Sequence, residues 1–556
     1  MHSINSVRRL QPATVLVPTQ ADGKEYIVCL NSGVDFAEFW QQMETNMHGP
    51  ATVPQREVRI VNERVNSLRS CHYALTDAEA TALRTDPRVQ SVSIPPQHKS
   101  NMILMHRAAQ QGNFTKPSTY TDSTGDKINW GLPRTNNIQN NYLDTLSIQF
   151  GGQDYDYTLS GDGVDVVVMD SGLQIDHPEF TNSHSVSRVQ TIDWFAASGV
   201  PGTMPPNHYQ DTAGHGTHVT GIVAGKTYGW AKNANIYSIK LQGLDGGEGG
   251  TIPYWDAFDV LIGWHLNKTP DPETGLVRPT IVNMSWGFSG TYYTDETHTI
   301  IDRGQYRGTS WSGSGIVADI HTEYGMGSPE IGTFPMRDPA TDSAIEELLF
   351  FGIHVCIAAG NDGIKVDVPL GPDYQNYFID NVYYDYNFYN QGSSPYSDKA
   401  LIIGAADATP HNAELDQKVF FSLGGPGVDL YVPGTKIMSS MSTTNNIAVE
   451  GYTDAPYHLN GGFKQANLSG TSMAAPQITG LGAVFLQVNP HATPQQLKSW
   501  LLYNSGNAIY TTENNNDYSN FNSIWGGASI VAYNKFNSSI SLKISNDFQE
   551  IIPSPD

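Results

Sequence analysis

The chain has 556 residues, room for two to four domains, and its 39% hydrophobic against 15% charged content buries a large core and excludes a disordered protein. Its formal net charge of −24 is unevenly carried: residues 1–100 hold 10 basic and 10 acidic residues, and the remaining 21 basic and 45 acidic residues follow them. An acidic body repels phosphate backbones, so no nucleic-acid partner is expected.

In chain order, residues 1–21 read as a loose arm. Arg8 and Arg9 have no apolar run behind them, so no secretory signal is expected. No stretch of about 18 apolar residues occurs anywhere, so no membrane partner is expected either. A cytoplasmic or virion-associated setting is therefore placed ahead of signal-directed secretion.

Residues 22–97 read as a small α+β unit. EYIVCL (25–30) is a strand, and Phe36, Phe39, Trp40 and Met43 have helical spacing over 35–46. Residues 55–75 give two strands, Thr76 to Glu79 is a capping box that opens a helix through Leu83, and VQSVSI (89–94) closes the unit. The order β-α-β-β-α-β is ferredoxin-like. Residues 98–127 are polar and low in pattern, a linker.

From residue 128 to 506 the pattern is α/β. DVVVMD (165–170), ANIYSIKL (234–241), PTIVNMSWG (279–287) and GIHVCIAAG (352–360) are continuous apolar runs, as in strands buried on both faces, and helical segments separate them. Ser343 to Glu346 reads as a capping box that starts one of these helices. The fold expected is a mainly parallel central sheet with helices on both faces. Two stretches, 288–340 and 364–396, rich in Gly, Ser, Tyr and Asn, read as surface insertions, and 507–556 as a C-terminal extension. The three cysteines, Cys29, Cys71 and Cys356, read as buried free thiols.

Four short segments carry chemistry. Asp170 ends a buried strand, where an open parallel sheet presents its ligand crevice; on its own it also reads as an acidic helix cap. His215 lies between Gly214 and Gly216 in AGHGTHVTG, and His218 one turn on leaves a metal pair conceivable, though with no acidic third ligand near. Ser472, in GTSMAAP, stands at the entry to an apolar helix, whose N-terminus favours developing negative charge; a plain capping serine is the simpler reading. Asn361, in AAGND, has an amide able to donate to an oxyanion, or is a turn asparagine. A hydroxyl, an imidazole, a carboxylate and an oxyanion donor are what nucleophilic hydrolysis of a peptide by serine requires.

Taken together, these segments resemble the subtilisin-like serine peptidases, in the chain order Asp, His, Asn, Ser. HGTHVTGIVAGKTYGWAKNANIYSIKL (215–241) resembles the proteinase K-like branch, VPGTKIMSSM (432–441) the segment before the serine, and NWGLPR (129–134) the mature N-terminal start. The resemblance implies a serine endopeptidase with Asp170, His215 and Ser472 as triad and Asn361 in the oxyanion hole. It makes Ser285, Trp286 and Gly287 a strand that pairs with substrate, Ala358, Ala359 and Gly360 the facing wall, and the glycines of 246–250 the other edge. No cofactor is required for the chemistry, no metal ligand is assigned, and structural calcium is left open. HYALTDAEATALRTDPRVQSVSI (72–94) resembles the family's inhibitory prodomain of the inhibitor I9 type. That implies a self-processing zymogen, with polypeptide substrates, the prodomain as intramolecular inhibitor, and a cut within 97–127. The alternative from a different class is a structural or virion assembly-associated protein that carries this fold.

Overall fold

The computed structural model describes residues 23–44, 49–62, 64–95, 103–106, 129–135, 157, 159–244, 249–271, 275, 277–291, 301, 303–312, 323–327, 332–379, 386–412, 415–446, 453–506, 509–512 and 518–534. The first unit runs β1 (Lys24–Leu30), α1 (Phe36–Glu44), β2 (Ile60–Asn62), β3 (Ser70–Leu75), α2 (Asp77–Leu83) and β4 (Val89–Ser93). Its sheet has the order β2-β3-β1-β4 with every pairing antiparallel. Phe39, Trp40 and Met43 of α1 bury against Val28, Leu30 and Leu75 of the sheet, and Thr76 and Glu79 cap α2 reciprocally.

The main body is built on six parallel strands: β6 (Asp165–Asp170), β7 (Asn235–Lys240), β8 (Thr280–Met284), β13 (His354–Ala358), β16 (Leu401–Ala406) and β17 (Leu430–Pro433), in the order β17-β16-β13-β8-β6-β7. β6 shows why these runs are apolar throughout. Val166 and Val168 enter one core cluster, Val167 and Met169 the other, so both faces are covered. Helices α5 (His215–Ala224) and α8 (Thr471–Val488) contribute to the first cluster, and α6 (Tyr254–Leu266) and α7 (Pro339–Phe350) to the second. Further helices are the short α3 (Gly131–Thr135) and α4 (Trp194–Ser198), and α9 (Pro494–Asn504).

One expectation is corrected and two are refined. The helix expected to open at Ser343 begins at Pro339, because Asp338 accepts the Thr341 amide as N-cap and Pro339 supplies a first helical position that needs no amide; Ser343 lies inside the helix. The linker holds one strand: β5 (Ile103–His106) lies within it and pairs antiparallel with β9 (Trp286–Thr291). The insertions hold regular structure of their own. β12 (Thr333–Pro335) pairs on the other edge of β9. β10 (Arg303–Tyr306), β11 (Thr309–Ser312), β14 (Tyr377–Ile379) and β15 (Tyr386–Phe388) form one antiparallel sheet drawn from both insertions. Asp373 ties that sheet together, accepting from Arg307, Lys365 and Tyr518.

The C-terminal extension belongs to the body as far as it is described, since Ile509, Ile524, Trp525, Val531 and Ala532 are buried. Residues 535–556 lie outside the described residues. All three cysteines are buried free thiols; burial pushes Cys29 and Cys356 up to about 12.

The first unit docks on α6 and α7. Arg64 is fully buried with its guanidinium 2.9 Å from the Asp259 carboxylate and over the Trp255 ring. The Glu347 carboxylate accepts the amides of Leu68 and Arg69 at 2.8 and 2.9 Å and the Ser67 hydroxyl. Arg69 meets Glu346 at 2.7 Å. A charged contact buried this completely is specific rather than incidental, because each charge has a partner.

Candidate active site

Asp170 is the last residue of β6, at the carboxyl end of the parallel sheet. One of its carboxylate oxygens accepts the Ser171 amide at 2.7 Å and the His215 Nδ1–H at 2.8 Å. His215 is the first residue of α5. Gly214 before it has φ 89°, a left-handed conformation that favours glycine, and a Cβ on Gly216 would lie 2.2 Å from the Gly172 carbonyl. These two glycines let the helix start against the Asp170–Gly172 turn.

Asp211 holds that start in place, and sequence reasoning missed it. Its buried carboxylate accepts the Gly214 and Thr217 amides, each at 2.8 Å, and the hydroxyls of Ser171 and Thr217. Ser171 in turn accepts the Gly216 amide at 2.9 Å. The donors at the α5 N-terminus are thereby satisfied by an acidic side chain, which the helix dipole also favours. The available signal was an aspartate just ahead of the histidine helix. From the far side, Ser439, Ser440 and Ser442, on or just after β18 (Ile437–Met441), donate to the carbonyls of His218, Thr217 and Asp211. β18 pairs with β20 (Asn460–Leu468), which also carries β19 (Asp454–Tyr457). His218 faces away from any metal-ligand role: its Nε2 bonds the Ala466 carbonyl at 2.9 Å, and burial lowers its pKa to about 3. Among the described residues no group of three His, Cys, Asp or Glu is arranged to hold a metal ion.

Ser472 is the second residue of α8 and fully buried. Its hydroxyl donates to the Ser285 carbonyl at 3.0 Å, and the Ser285 hydroxyl donates back to the Ser472 carbonyl at 3.0 Å. The second bond has a cause in the sequence. Pro476 lacks the amide that would bond the carbonyl four residues earlier, which is that of Ser472, so a side-chain donor takes its place. Asn283 donates to the Ser285 hydroxyl oxygen at 2.9 Å and accepts from Thr479 of α8 at 2.9 Å, locking β8 to the helix.

Asn361 follows β13. Its side-chain oxygen accepts both the amide and the hydroxyl of Thr471, each at 3.0 Å, and the Thr471 hydroxyl oxygen accepts the Gly360 amide at 3.2 Å. The Asn361 side-chain oxygen is thereby fixed toward Thr471. Thr471 is a second residue that sequence reasoning missed; in GTS it reads as part of a turn, and only the fold brings it to Asn361.

The residues expected to bind substrate fall on two strands. Ala358 ends β13, with Ala359 and Gly360 beyond it, and Gly360 has φ 124°. Trp286 and Gly287 open β9. The Trp286 side chain points into the core, where it packs on Tyr254 and Phe258 and donates to the Met169 carbonyl at 2.8 Å. The backbone of β9 carries β5, in the register His106 to Trp286 and Met105 to Gly287. Residues 245–248, in the expected opposite edge, lie outside the described residues.

A family model described as the subtilase family, peptidase S8, matches residues 161–526. The chain belongs to the subtilase family. It is similar to the extracellular serine proteinase of Thermus sp. (strain Rt41A), 25% identical over 79% of this chain and 71% of that protein. It is also similar to subtilisin-like protease 5 of Arthroderma benhamiae, 28% identical over 65% of this chain and 59% of that protein, so this subtilase spans about three fifths of the fungal relative's length. Among solved structures, a cold adapted subtilisin-like serine proteinase aligns with TM-score 0.43 and 21% identity, over 73% of this chain and 98% of that one. This subtilase is by class a serine endopeptidase, and the reading as a structural or virion assembly protein finds no support in these matches.

Proposed function

We propose that this subtilase hydrolyses internal peptide bonds of polypeptides through Asp170, His215 and Ser472, with Asn361 as oxyanion donor. The observation that carries the reading is the buried Asp170–His215 bond of 2.8 Å at the carboxyl end of the sheet, in a fold that brings Ser472 to the same end through Ser285. In the reaction the Ser472 hydroxyl leaves the Ser285 carbonyl and passes its proton to His215 Nε2 while its oxygen attacks the scissile carbonyl. Asp170 keeps the proton of His215 on Nδ1 and stabilises the imidazolium. The oxyanion is received by the Asn361 NH2 group and the Ser472 amide at the α8 N-terminus. His215 then protonates the leaving amine, and water releases the acyl group. Chemistry of this class needs no cofactor, and calcium is assigned to no site.

Substrate binds in this proposal as an extended strand along Ser285, Trp286 and Gly287, with Ala358, Ala359 and Gly360 opposite. The peptidase domain is residues 128–506. Residues 22–97 act as an inhibitory prodomain, a role supported by their buried docking on α6 and α7 and by β5 of the linker that follows them, which lies where substrate would pair. Among the described residues no helix is long and apolar enough to cross a membrane. The intracellular or virion setting expected from the sequence fits poorly with the Thermus relative, whose name places it outside the cell. Ser472→Ala should abolish both casein hydrolysis and self-cleavage; undiminished turnover on casein refutes the assignment.

A further inference from the structure

Asn361 stands between Gly360, at φ 124°, and Gly363, at φ 63°. Two glycines in the left-handed region let the chain turn sharply behind β13, and they leave that turn with little stiffness of its own. An oxyanion donor has to be preorganised, so the turn must be held from outside. The body holds it in part: the Gly363 amide donates to the Phe421 carbonyl at 2.7 Å and the Leu423 amide to the Gly360 carbonyl at 3.0 Å.

The two insertions hold the same turn. The hydroxyl of Thr333, the first residue of β12, donates to the buried Asp362 carboxylate at 2.6 Å. Gly327 approaches the turn as closely as a backbone can; a Cβ there would lie 2.8 Å from the Asp362 carbonyl oxygen and 2.6 Å from the Ile364 side chain. Three residues past Asp362, the Lys365 ammonium meets the Asp373 carboxylate at 2.7 Å, and the Lys365 carbonyl accepts from the Asn390 side chain at 2.7 Å. Asp373 also accepts from Arg307, just after β10, and from Tyr518 of the C-terminal extension. Phe334 of β12 packs edge-on against Phe378 of β14, ring centroids 4.9 Å apart, which joins β12 to the insertion sheet.

We propose that the insertions brace the oxyanion side of the site, with Thr333 as a positioning residue for Asn361. The inference rests on Asn361 being the oxyanion donor and gives a role to segments that read as surface insertions. Thr333 acts through Asp362, the next residue in the chain. Its bond is charge-assisted, roughly twice as strong as one between neutral groups. Lys365 is anchored separately by Asp373 and Asn390, so slack introduced at Asp362 falls on the two glycines that flank Asn361.

The test is Thr333→Val in wild-type and Asn361→Ala backgrounds, by steady-state kinetics on a chromogenic peptide. Rates are expressed per site titrated with a fluorophosphonate, so that unfolded molecules are not counted. Displacing a reacting group by about 1 Å costs about 100-fold in rate, and a turn slackened by about half of that should lower kcat roughly 10-fold at unchanged KM. Thr333→Ser restores the hydroxyl and should restore kcat. In the Asn361→Ala background Thr333→Val should leave kcat where it was. Should Thr333→Val yield no folded protein, Asp362→Asn carries the same test, since it keeps an acceptor and loses the charge; kcat should then fall roughly 3-fold, again only while Asn361 is present. An unchanged kcat, an equal loss in both backgrounds, a loss confined to KM, or a Thr333→Ser no better than Thr333→Val overturns the brace and leaves Asn361 as the donor. Wild-type turnover in Asn361→Ala itself overturns the oxyanion assignment, and this inference with it.

Discussion

Thr471→Val removes one hydroxyl and keeps the shape of the side chain. That hydroxyl donates to the Asn361 side-chain oxygen at 3.0 Å and accepts the Gly360 amide at 3.2 Å. The Thr471 amide still holds the Asn361 oxygen, also at 3.0 Å, so the oxyanion donor loses half of its orientation rather than all of it. One net hydrogen bond is worth about 1–1.5 kcal/mol, which through transition-state arithmetic is roughly a 5- to 13-fold loss in kcat. The buried Gly360 amide left without an acceptor costs about 1–3 kcal/mol of stability as well. KM should not move, since Thr471 is fully buried. The assay is steady-state kinetics on a chromogenic peptide, in wild-type and Asn361→Ala backgrounds. Loss of a single oxyanion donor lowers kcat about 100- to 1,000-fold, a figure established on subtilisin itself rather than worked out from this geometry. If Thr471 acts by orienting Asn361, its substitution has no further effect on kcat once Asn361 is gone. An equal loss in both backgrounds, or a loss confined to KM, refutes the reasoning.

Acid should unfold the protein through its buried histidines. His208, His265 and His354 are lowered to about 4 and His218 to about 3, in each case chiefly by burial. A histidine whose folded pKa lies below its unfolded value of about 6.5 contributes stability that is complete above that pH and lost as pH falls toward the folded value. Stability should therefore fall as pH is lowered from about 6.5 toward 5; urea unfolding of Ser472→Ala should show this, and a flat stability across that window contradicts it. Arg64→Ala strands the buried Asp259 carboxylate and should cost about 3–5 kcal/mol in unfolding of the same variant. A loss under 1 kcal/mol would mean that the first unit does not depend on this contact. Ser285→Ala should lower stability by about 1 kcal/mol through the unbonded Ser472 carbonyl that Pro476 leaves, and differential scanning calorimetry reads it.

The parts legible in the sequence are those whose signal is local. DVVVMD reads as a strand because both of its faces are buried, and Asp170 then falls at the end of that strand without further information. Gly214 and Gly216 announce a tight helix start around His215. What escaped depends on residues far apart in the chain. β5 is four residues whose partner lies about 180 positions on, and four apolar or polar residues in a row carry no period that separates a strand from a linker. Thr471 meets Asn361 across 110 residues. Trp286 stands on the strand expected to pair with substrate; its indole turns inward because an aromatic cluster and the Met169 carbonyl are there to receive it. The α7 start was misplaced because two capping signals compete, and Asp338-Pro339, the earlier one, supplies both cap and first-turn residue.

The central claim is that Ser472 is a nucleophile activated by His215. Peptide mapping after reaction with a fluorophosphonate, on the full chain and on His215→Ala, tests it most directly. The account predicts an adduct on Ser472 in the wild-type protein and none in the variant. A folded wild-type protein without that adduct, or equal labelling in the two proteins, would contradict it.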